Sequence, residues 1–170
     1  MKAIVCMTPD NGIGYANNLP WTSKKEMAYF KEKTIGNGNN AVVMGYNTFR
    51  SLRFRPLPNR RNYIVTHSPE EKSNHHNTDV IFESNIHNIL LLEFVFQDVY
   101  IIGGASIYEL FMPYVQELYV TKIHCDCISN VFFTVDLSNY QKQLLKKETD
   151  ENGVLLEFYC YKRQSPEDFL

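Results

Sequence analysis

The sequence predicts an α/β fold built on a largely parallel sheet with an antiparallel edge near the C-terminus. Short apolar runs typical of strands buried on both faces alternate with stretches of helical spacing, which predicts parallel strands joined by right-handed crossovers. The strand-like runs lie at 41–44, 63–66, 80–82 and 99–102, and the helix-like stretches at 23–34, 46–52, 86–94 and 106–111. The last third differs, because strand patterns at 118–124 and 155–162 flank a polar segment that ends in the turn signal Glu151-Asn152-Gly153. We therefore expect an antiparallel hairpin at one sheet edge.

Composition and charge are those of an ordinary globular domain. The chain has 170 residues, of which 44% are hydrophobic, enough for one domain with a sizeable core. A net charge of −2 leaves no dominant basic face, so we expect no general nucleic-acid binding. No apolar run approaches the roughly 18 residues of a membrane span. Pro9 turns the chain after a short apolar run, so we expect no export signal and a cytoplasmic protein.

The cysteines and histidines give little information about function. Cysteines of a cytoplasmic protein are expected to be reduced thiols, and we expect this of all four. Cys125 and Cys127 would face one side of a strand, but no second Cys/His pair at zinc spacing follows, so we expect no metal site. His75-His76 lies in a polar run that predicts a solvated loop, and 164–170 is a polar tail that resembles a frayed terminus or the start of a linker.

The stretch 4–30 is the most informative about function. It runs from a short apolar strand through a loop with two glycines to Pro20-Trp21, and then opens a helix with Glu26 at the border of its apolar face. Ser23-Lys24-Lys25-Glu26 fits a capping box, in which Glu26 would satisfy the Ser23 amide. Alternatively, Glu26 points into a pocket with Phe30, where a carboxylate can recognise and polarise a heterocycle. Taken alone, the residues favour the cap.

Two glycine-containing turns are candidate phosphate sites. Gly103-Gly104 and Gly45 each follow a buried strand and precede a helix, so backbone N–H groups can face an anion. A tight strand-to-helix turn explains either motif alone, but two of them at one sheet edge favour a dinucleotide. Arg60 precedes a strand, where a guanidinium suits capture of a carboxylate, although a surface arginine is the simpler interpretation.

Taken in order, these motifs resemble the dihydrofolate reductase family over nearly the whole chain. The motifs are NGIGYANNLPW, E-x-x-x-F, VVMGYNTFRSL, RPLPNRRNYIV, IIGGASIYELF, LYVTKI and FF. The resemblance implies an eight-stranded, mostly parallel sheet with about four flanking helices over residues 1–163. It implies NADPH-dependent reduction of 7,8-dihydrofolate to tetrahydrofolate, which supports thymidylate and one-carbon metabolism. It further implies a monomer that binds antifolates such as methotrexate, and it allows fusion to thymidylate synthase.

The resemblance also assigns residues to the substrate. The Glu26 carboxylate would accept from the 2-amino group and N3 of the pterin, supported by the Thr121 hydroxyl and by a water that Trp21 holds. A water admitted by the loop 12–20 is the expected proton donor to N5, and Arg60 would bind the α-carboxylate of the glutamate tail. The expected catalytic residues are Glu26, Trp21, Thr121 and Tyr108. The expected substrate contacts are Cys6, Glu26, Met27, Phe30, Lys31, Leu52, Leu57, Arg60, Ile102 and Thr121.

The cofactor contacts that the resemblance implies surround the two glycine turns, and the peptide between Gly103 and Gly104 is expected to be cis. These contacts are Cys6, Ile13, Gly14, Asn17, Leu19, Gly45, Tyr46, Asn47, Thr48, Val65, Thr66, His67, Ile102, Gly103, Gly104, Ala105, Ser106, Ile107 and Tyr108.

The chain departs from the family pattern at two places. Tyr46 and Ser106 stand where members commonly carry a basic residue for the adenosine 2′-phosphate. We hypothesise that His67 takes part of that role, with Arg50 or Arg61 nearby, so that NADPH affinity falls as pH rises through neutrality. The segment 129–131 reads Ser-Asn-Val where the family often has Gly-Asp-Thr, which puts in doubt the side-chain contacts that steady the loop 12–20 in some members.

Two rival functions are weaker interpretations of the same motifs. A pyrimidine reductase of riboflavin synthesis would share the fold and cofactor, but not the combination of Pro20-Trp21, Glu26 with Phe30, and the segment 55–60. A folate-binding protein without catalysis would not need to retain Trp21, Glu26 and Arg60 together.

Overall fold

A computed structural model describes residues 1–72 and 78–165 of the chain. The strands are β1 (Lys2–Met7), β2 (Gly12–Gly14), β3 (Asn40–Gly45), β4 (Arg61–Val65), β5 (Val80–Glu83), β6 (Asp98–Ile101), β7 (Glu117–Ile123), β8 (Val131–Phe132), β9 (Tyr140–Thr149) and β10 (Leu155–Arg163). The helices are α1 (Lys24–Ile35), α2 (Tyr46–Ser51), α3 (Pro69–Lys72), α4 (Ile86–Leu90) and α5 (Ala105–Phe111). The predicted loop at His75-His76 and residues 166–170 of the predicted tail lie outside the described residues.

Eight strands form one sheet in the order β5-β4-β3-β6-β1-β7-β10-β9. Neighbouring strands from β5 to β7 run parallel, whereas β10 is antiparallel to both β7 and β9. The predicted parallel sheet with an antiparallel C-terminal edge is therefore confirmed, and β9 and β10 form the expected hairpin. Because β3, β6 and β1 lie side by side, their carboxyl ends and the segments that follow them meet at one edge of the sheet.

The core lies on both faces of the sheet, as apolar strands flanked by helices require. Along β1, Ala3 and Val5 face a cluster that includes Phe111 of α5, whereas Ile4 faces a second cluster that includes Tyr29 of α1 and Phe49 of α2. The helices of the two clusters thus cover opposite faces, and α1 and α5 approach the same carboxyl edge from opposite sides.

Three local features differ from the prediction. The helix expected at 86–94 is α-helical only over Ile86–Leu90 and continues as a 3₁₀ turn over Leu91–Phe94. The short helix α3 and the ribbon of β2 with β8 were not predicted. Elements of two to four residues are too short to show a periodicity, and β2 and β8 are joined only by tertiary pairing.

The expectation of four reduced cysteines is wrong for two of them, because Cys125 and Cys127 form a disulfide. They lie in the loop after β7, not on a strand, and this loop places their Cα atoms 5.3 Å apart, within the range that a disulfide spans. The expectation of reduced thiols was based on the expected cytoplasmic location, which says nothing about the path of the loop after β7. Cys6 and Cys160 are free thiols.

Within the described ranges, no group of three or more His, Cys, Asp or Glu side chains is arranged to hold a metal ion. None of the described helices has both the length and the apolar character needed to cross a membrane.

Two phenylalanines, Phe111 of α5 and Phe94 of the 3₁₀ turn, should differ strongly in their contribution to the free energy of unfolding. The side chain of Phe111 is 0% exposed and that of Phe94 is 88% exposed. We expect Phe111→Ala to lower the free energy of unfolding by about 3–5 kcal/mol, because it leaves a cavity in the core. Phe94→Ala is the matched control and should change that free energy by less than about 0.5 kcal/mol. Urea unfolding followed by circular dichroism measures both, and similar losses in the two variants would contradict the described packing.

Candidate functional site

A cavity of about 420 Å³ opens at the carboxyl edge of the sheet, between α1, α2, the start of α5 and the loop that contains β2. It brings together most of the predicted site residues. Those that line it are Cys6, Ile13, Gly14, Asn17, Leu19, Glu26, Met27, Phe30, Lys31, Asn47, Thr48, Leu52, Leu57, Arg60, Ile102, Gly103, Gly104, Ala105 and Tyr108. The predicted residues that do not line it are Trp21, Gly45, Tyr46, Val65, Thr66, His67, Ser106, Ile107 and Thr121.

Five residues of the cavity wall were missed by sequence reasoning. Ile4 and Val5 precede Cys6 on β1, and Ser51 lies one helical turn after Asn47 on α2. Because Cys6 and Asn47 were predicted site residues, these three could have been found from their positions in the sequence. Asn18 belongs to the same loop as Asn17. Val131 had no local signal, because only the pairing of β8 with β2 brings it to the cavity.

The first turn of α1 decides between the two interpretations of Glu26. Ser23 is the N-cap and its hydroxyl accepts from the Glu26 amide at 3.3 Å, so half of a capping box is present. The other half is absent among the described residues, because no hydrogen bond joins the Ser23 amide to the Glu26 carboxylate. The carboxylate that caps α1 belongs to Glu151, which accepts from the amides of Lys24 and Lys25. The Glu26 side chain is thereby left to the cavity.

The Glu26 carboxyl is 6% exposed and lies against the free thiol of Cys6. Burial raises its pKa to about 7, because removal from water penalises the charged form, and hydrogen bonding with Cys6 opposes that rise. The pKa of the Cys6 thiol is raised well above its usual value, first by burial and then by the neighbouring Glu26. Glu26 therefore changes its charge near neutral pH, and Cys6 stays a neutral donor.

Trp21 and Thr121 are buried close to this acid. The indole nitrogen of Trp21 is buried and has no hydrogen-bond acceptor among the described residues, as expected for a group that serves a water or a ligand. Thr121 on β7 is the register partner of Cys6 on β1, but no described hydrogen bond joins it to Glu26. The support of Glu26 by Thr121 thus stays a prediction.

Arg60 is a buried cation that also lines the cavity. Its side chain donates to the carbonyl of Pro58 at 2.9 Å and to the hydroxyl of Thr34 at 2.8 Å. Burial lowers the pKa of the guanidinium. None of the ion pairs among the described residues includes Arg60 or Glu26. A buried guanidinium held only by neutral oxygens retains donors for an anion, so the simpler interpretation of a surface arginine is wrong.

The two glycine turns lie against each other. The Gly45 amide donates to the Gly103 carbonyl at 2.8 Å, and the peptide between Gly103 and Gly104 is cis, as expected. A Cβ on Gly45 would lie 2.9 Å from Cγ1 of Ile107, and a Cβ on Gly103 would lie 3.0 Å from the Tyr108 ring. A side chain at Gly45 would collide with that of Ile107, and one at Gly103, where φ is +108°, would press on the Tyr108 ring, so both positions favour glycine.

Tyr108 closes the same wall from α5. Its hydroxyl donates to the Ile4 carbonyl at 2.7 Å, and burial raises its pKa. Tyr108 is therefore a neutral group at physiological pH that holds β1 and α5 together beside the cavity.

The loop over the cavity is held by backbone contacts. The Asn130 amide donates to the Gly14 carbonyl at 2.9 Å, and the Phe133 amide donates to the Asn11 carbonyl at 2.8 Å. The side-chain contacts that the segment 129–131 placed in doubt are thus replaced, in part, by the pairing of β2 with β8.

The residues proposed for the adenosine phosphate are less well grouped. His67 and Arg50 are exposed and do not line the cavity. Arg61, at the amino end of β4, donates to the Thr78 carbonyl and forms an ion pair with Asp79 at 3.5 Å, so its side chain already has partners there. The role of His67 stays a prediction. Among the described residues, Arg50 makes no side-chain hydrogen bond or ion pair that would compete with a phosphate, whereas Arg61 does.

Comparison with known proteins agrees with this geometry. The family model described as dihydrofolate reductase matches residues 1–163. The dihydrofolate reductase of Bacillus subtilis is 33% identical over 165 residues, which cover 95% of this chain and 94% of that protein. A bifunctional dihydrofolate reductase-thymidylate synthase of Paramecium tetraurelia is 31% identical over 154 residues, covering 89% of this chain and 32% of its own length. The solved dihydrofolate reductase of Enterococcus faecalis, complexed with NADP(H) and RAB-propyl, has a TM-score of 0.83 at 26% identity, covering 96% of each chain.

The contact between Glu26 and Cys6 predicts a titration that can be measured directly. Carbon-13 NMR of the side-chain carboxyls should show one group with a midpoint of about 7, whose signal disappears in Glu26→Gln. Cys6→Ala should raise that midpoint, because it removes the donor that stabilises the ionised form. Cys6→Ser is the matched control and should keep the midpoint at or below the wild-type value. A lower midpoint in Cys6→Ala would mean that the thiol acts mainly by excluding water.

Proposed function

This chain belongs to the dihydrofolate reductase family, and from that premise we infer that it reduces 7,8-dihydrofolate to 5,6,7,8-tetrahydrofolate with NADPH. The product supports thymidylate synthesis and one-carbon metabolism. The observation that carries the inference is a single cavity that holds a buried acid, Glu26, and a buried guanidinium, Arg60, neither paired with the other. Dihydrofolate has hydrogen-bond donors on its pterin for the first group and carboxylates on its glutamate for the second.

We propose that α1 sets the distance between these two contacts. Glu26 lies in the first turn of the helix, and Arg60 is held at its other end by Thr34. Eight residues separate positions 26 and 34, which corresponds to about 12 Å along an α-helix. Apolar side chains of Met27, Phe30 and Leu57 line the cavity with them, where the rings of the substrate would pack.

The cavity wall formed by β6 and α5 fits the nicotinamide half of NADPH. A Cβ on Gly104 would meet only the Thr48 hydroxyl, at 3.5 Å, so the backbone of Gly104 is open toward the cavity. Ile13, Ala105 and Tyr108 add apolar contacts. We propose that these residues hold the cofactor, which supplies the hydride when bound. The Enterococcus relative with NADP(H) supports this assignment.

The chain itself contributes positioning and a proton environment. Glu26 has a pKa of about 7, so near neutral pH its ionised form is populated and can accept two hydrogen bonds from pterin donors. We propose that this contact fixes and polarises the pterin, and that water admitted beside the loop 12–20 protonates N5. We further propose that the indole nitrogen of Trp21, which has no acceptor among the described residues, holds a separate water beside Glu26.

Other properties expected of the chain stay predictions. The fusion in Paramecium shows a form that a relative takes, and for this chain a thymidylate synthase domain is a proposal. We also propose that the protein is a monomer, that it acts in the cytoplasm, and that methotrexate competes with dihydrofolate at Glu26.

The proposed activity is tested by following NADPH absorbance with dihydrofolate, with and without methotrexate. The wild-type chain should oxidise NADPH only when dihydrofolate is present, and methotrexate should stop it. Glu26→Gln should lower kcat/KM by at least about a hundredfold, because it removes the charged acceptor. Glu32→Gln, at an exposed position on the same helix, should leave the rate within about twofold. A folded wild-type chain without a dihydrofolate-dependent rate would favour a binding protein instead.

The role of Arg60 is tested with two substrates. Arg60→Lys should raise KM for dihydrofolate by about tenfold or more, because lysine cannot keep the contacts to Pro58 and Thr34 and also bind a carboxylate in a bidentate manner. Dihydropteroate lacks the glutamate, so its KM should change little. Equal losses on both substrates would show that Arg60 acts on the fold of the cavity and not on the glutamate tail.

A further inference from the structure

We propose that the turn between β9 and β10, through Glu151, is a positioning element for Glu26. This inference rests on the proposed function and deepens it, because it names a remote residue on which pterin binding depends. Glu151 does not line the cavity and would not touch the substrate, so its effect must pass through the first turn of α1.

The amide groups at the start of α1 provide the first argument. The first N–H groups of a helix have no partner within it and need an outside acceptor. The Lys24 amide donates to Oε1 of Glu151, the Lys25 amide donates to Oε2 at 3.4 Å, and the Glu26 amide donates to the Ser23 hydroxyl. The Met27 amide then makes the first bond inside the helix, to the Ser23 carbonyl at 3.1 Å. Every amide of the first turn is satisfied without the Glu26 carboxylate.

The turn is also attached to α1 at further points. Nδ2 of Asn152 donates to the Thr22 carbonyl at 3.0 Å, just before the helix. Nζ of Lys25 donates to the Thr149 carbonyl at 2.9 Å and lies 3.7 Å from Glu148. These contacts join the N-terminus of α1 to a segment more than 120 residues later in the chain. The helix start is therefore held on both sides of Glu151.

The turn has its own internal order, so it can act as a fixed support. Asp150 is buried, and its carboxylate accepts from the amides of Asn152 at 2.8 Å and Val154 at 2.9 Å. The Gly153 amide donates to the Asp150 carbonyl, and Gly153 has a φ of +78°, which favours glycine. Hydrogen bonding to the Lys24 amide keeps the pKa of Glu151 below its usual value, which suits a charged cap at a helix N-terminus.

Glu151 and Glu26 therefore have different roles at the start of α1. In a capping box the Glu26 carboxylate would fold back to the Ser23 amide. Glu151 instead accepts from the Lys24 and Lys25 amides and fixes the turn from which Glu26 projects into the cavity. Loss of Glu151 would leave these two exposed amides to water and to the neighbouring Glu26 carboxylate. The Glu26 carboxylate would then compete for them and leave the pterin site for part of the time.

A double-mutant cycle tests this coupling. The dissociation constant for dihydrofolate is measured by quenching of the fluorescence of Trp21, the single tryptophan of the chain. Glu151→Ala should weaken binding about fivefold in the wild-type background, a typical effect of losing a helix cap, and less than about twofold in the Glu26→Gln background. Glu151→Gln keeps an acceptor oxygen and should restore most of the affinity. Glu157→Gln removes the charge of a carboxylate in the same hairpin whose partners, His124 and Lys147, do not belong to α1, and should change the affinity by less than about twofold.

A second measurement separates positioning from loss of stability. In Glu151→Ala the midpoint of the Glu26 titration should fall toward the ordinary range, because a carboxylate drawn to the helix end is better solvated and hydrogen-bonded. A general loss of stability, read from thermal unfolding, would not move it. Equal weakening of dihydrofolate binding in both backgrounds, or unchanged binding in Glu151→Ala, would overturn the inference. The proposed function fails separately, if the wild-type chain shows no dihydrofolate-dependent NADPH oxidation. The coupling between Glu151 and Glu26 would still be shown in that case by a shifted Glu26 titration midpoint in Glu151→Ala.

Discussion

The burial of one carboxylate in an apolar cavity constrains the surrounding structure. An ionised acid loses the solvation of water when it is buried, and the fold must either pair it, hydrogen-bond it or raise its pKa. For Glu26 the described residues offer no cation, and Cys6 is a weak donor. The pKa therefore rises to about 7, and the carboxylate keeps an unmet capacity to accept hydrogen bonds. A ligand with two hydrogen-bond donors could supply the bonds that the Glu26 carboxylate lacks. The small number of protein partners of Glu26 therefore suits it to bind a ligand.

Arg60 presents the opposite case in the same cavity. The two charges would attract each other strongly at close range in a medium of low dielectric, and their pairing would fill the site. Helix α1 prevents this, since Glu26 leaves its first turn and Thr34 holds Arg60 near its last. Each charge is desolvated and oriented before a ligand arrives. The helix thus keeps an acid and a guanidinium apart in one cavity, an arrangement that suits the proposed substrate, which is polar at both ends and apolar between them.

The parts of this structure that could be predicted from the sequence are those whose cause is local. Buried parallel strands are continuous apolar runs, and Gly103 favours glycine because its φ is +108° and the Tyr108 ring lies close to it, so both are visible in the residues. The S-x-x-E pattern at the start of α1 is a local signal and is half fulfilled, because Ser23 accepts from the Glu26 amide, whereas the contribution of Glu151 comes from a distant hairpin. The disulfide of Cys125 with Cys127, the pairing that brings Val131 to the cavity and the engagement of Arg61 by Asp79 depend on loop paths that no periodicity encodes.

Segments late in the chain support the cavity residues that lie early in the chain. The first 30 residues supply β1, the loop over the cavity and Glu26, and segments late in the chain add contacts to the loop and to the start of α1. The last third provides those contacts. The strand β8 pairs with β2 and secures the loop, and the turn of the β9–β10 hairpin secures the start of α1. Because β10 pairs with β7 and β7 pairs with β1, the hairpin that supports α1 belongs to the same sheet as Cys6, whereas β8 and β2 form a separate two-stranded ribbon. The position of Glu26 relative to Cys6 is therefore set in part through this sheet.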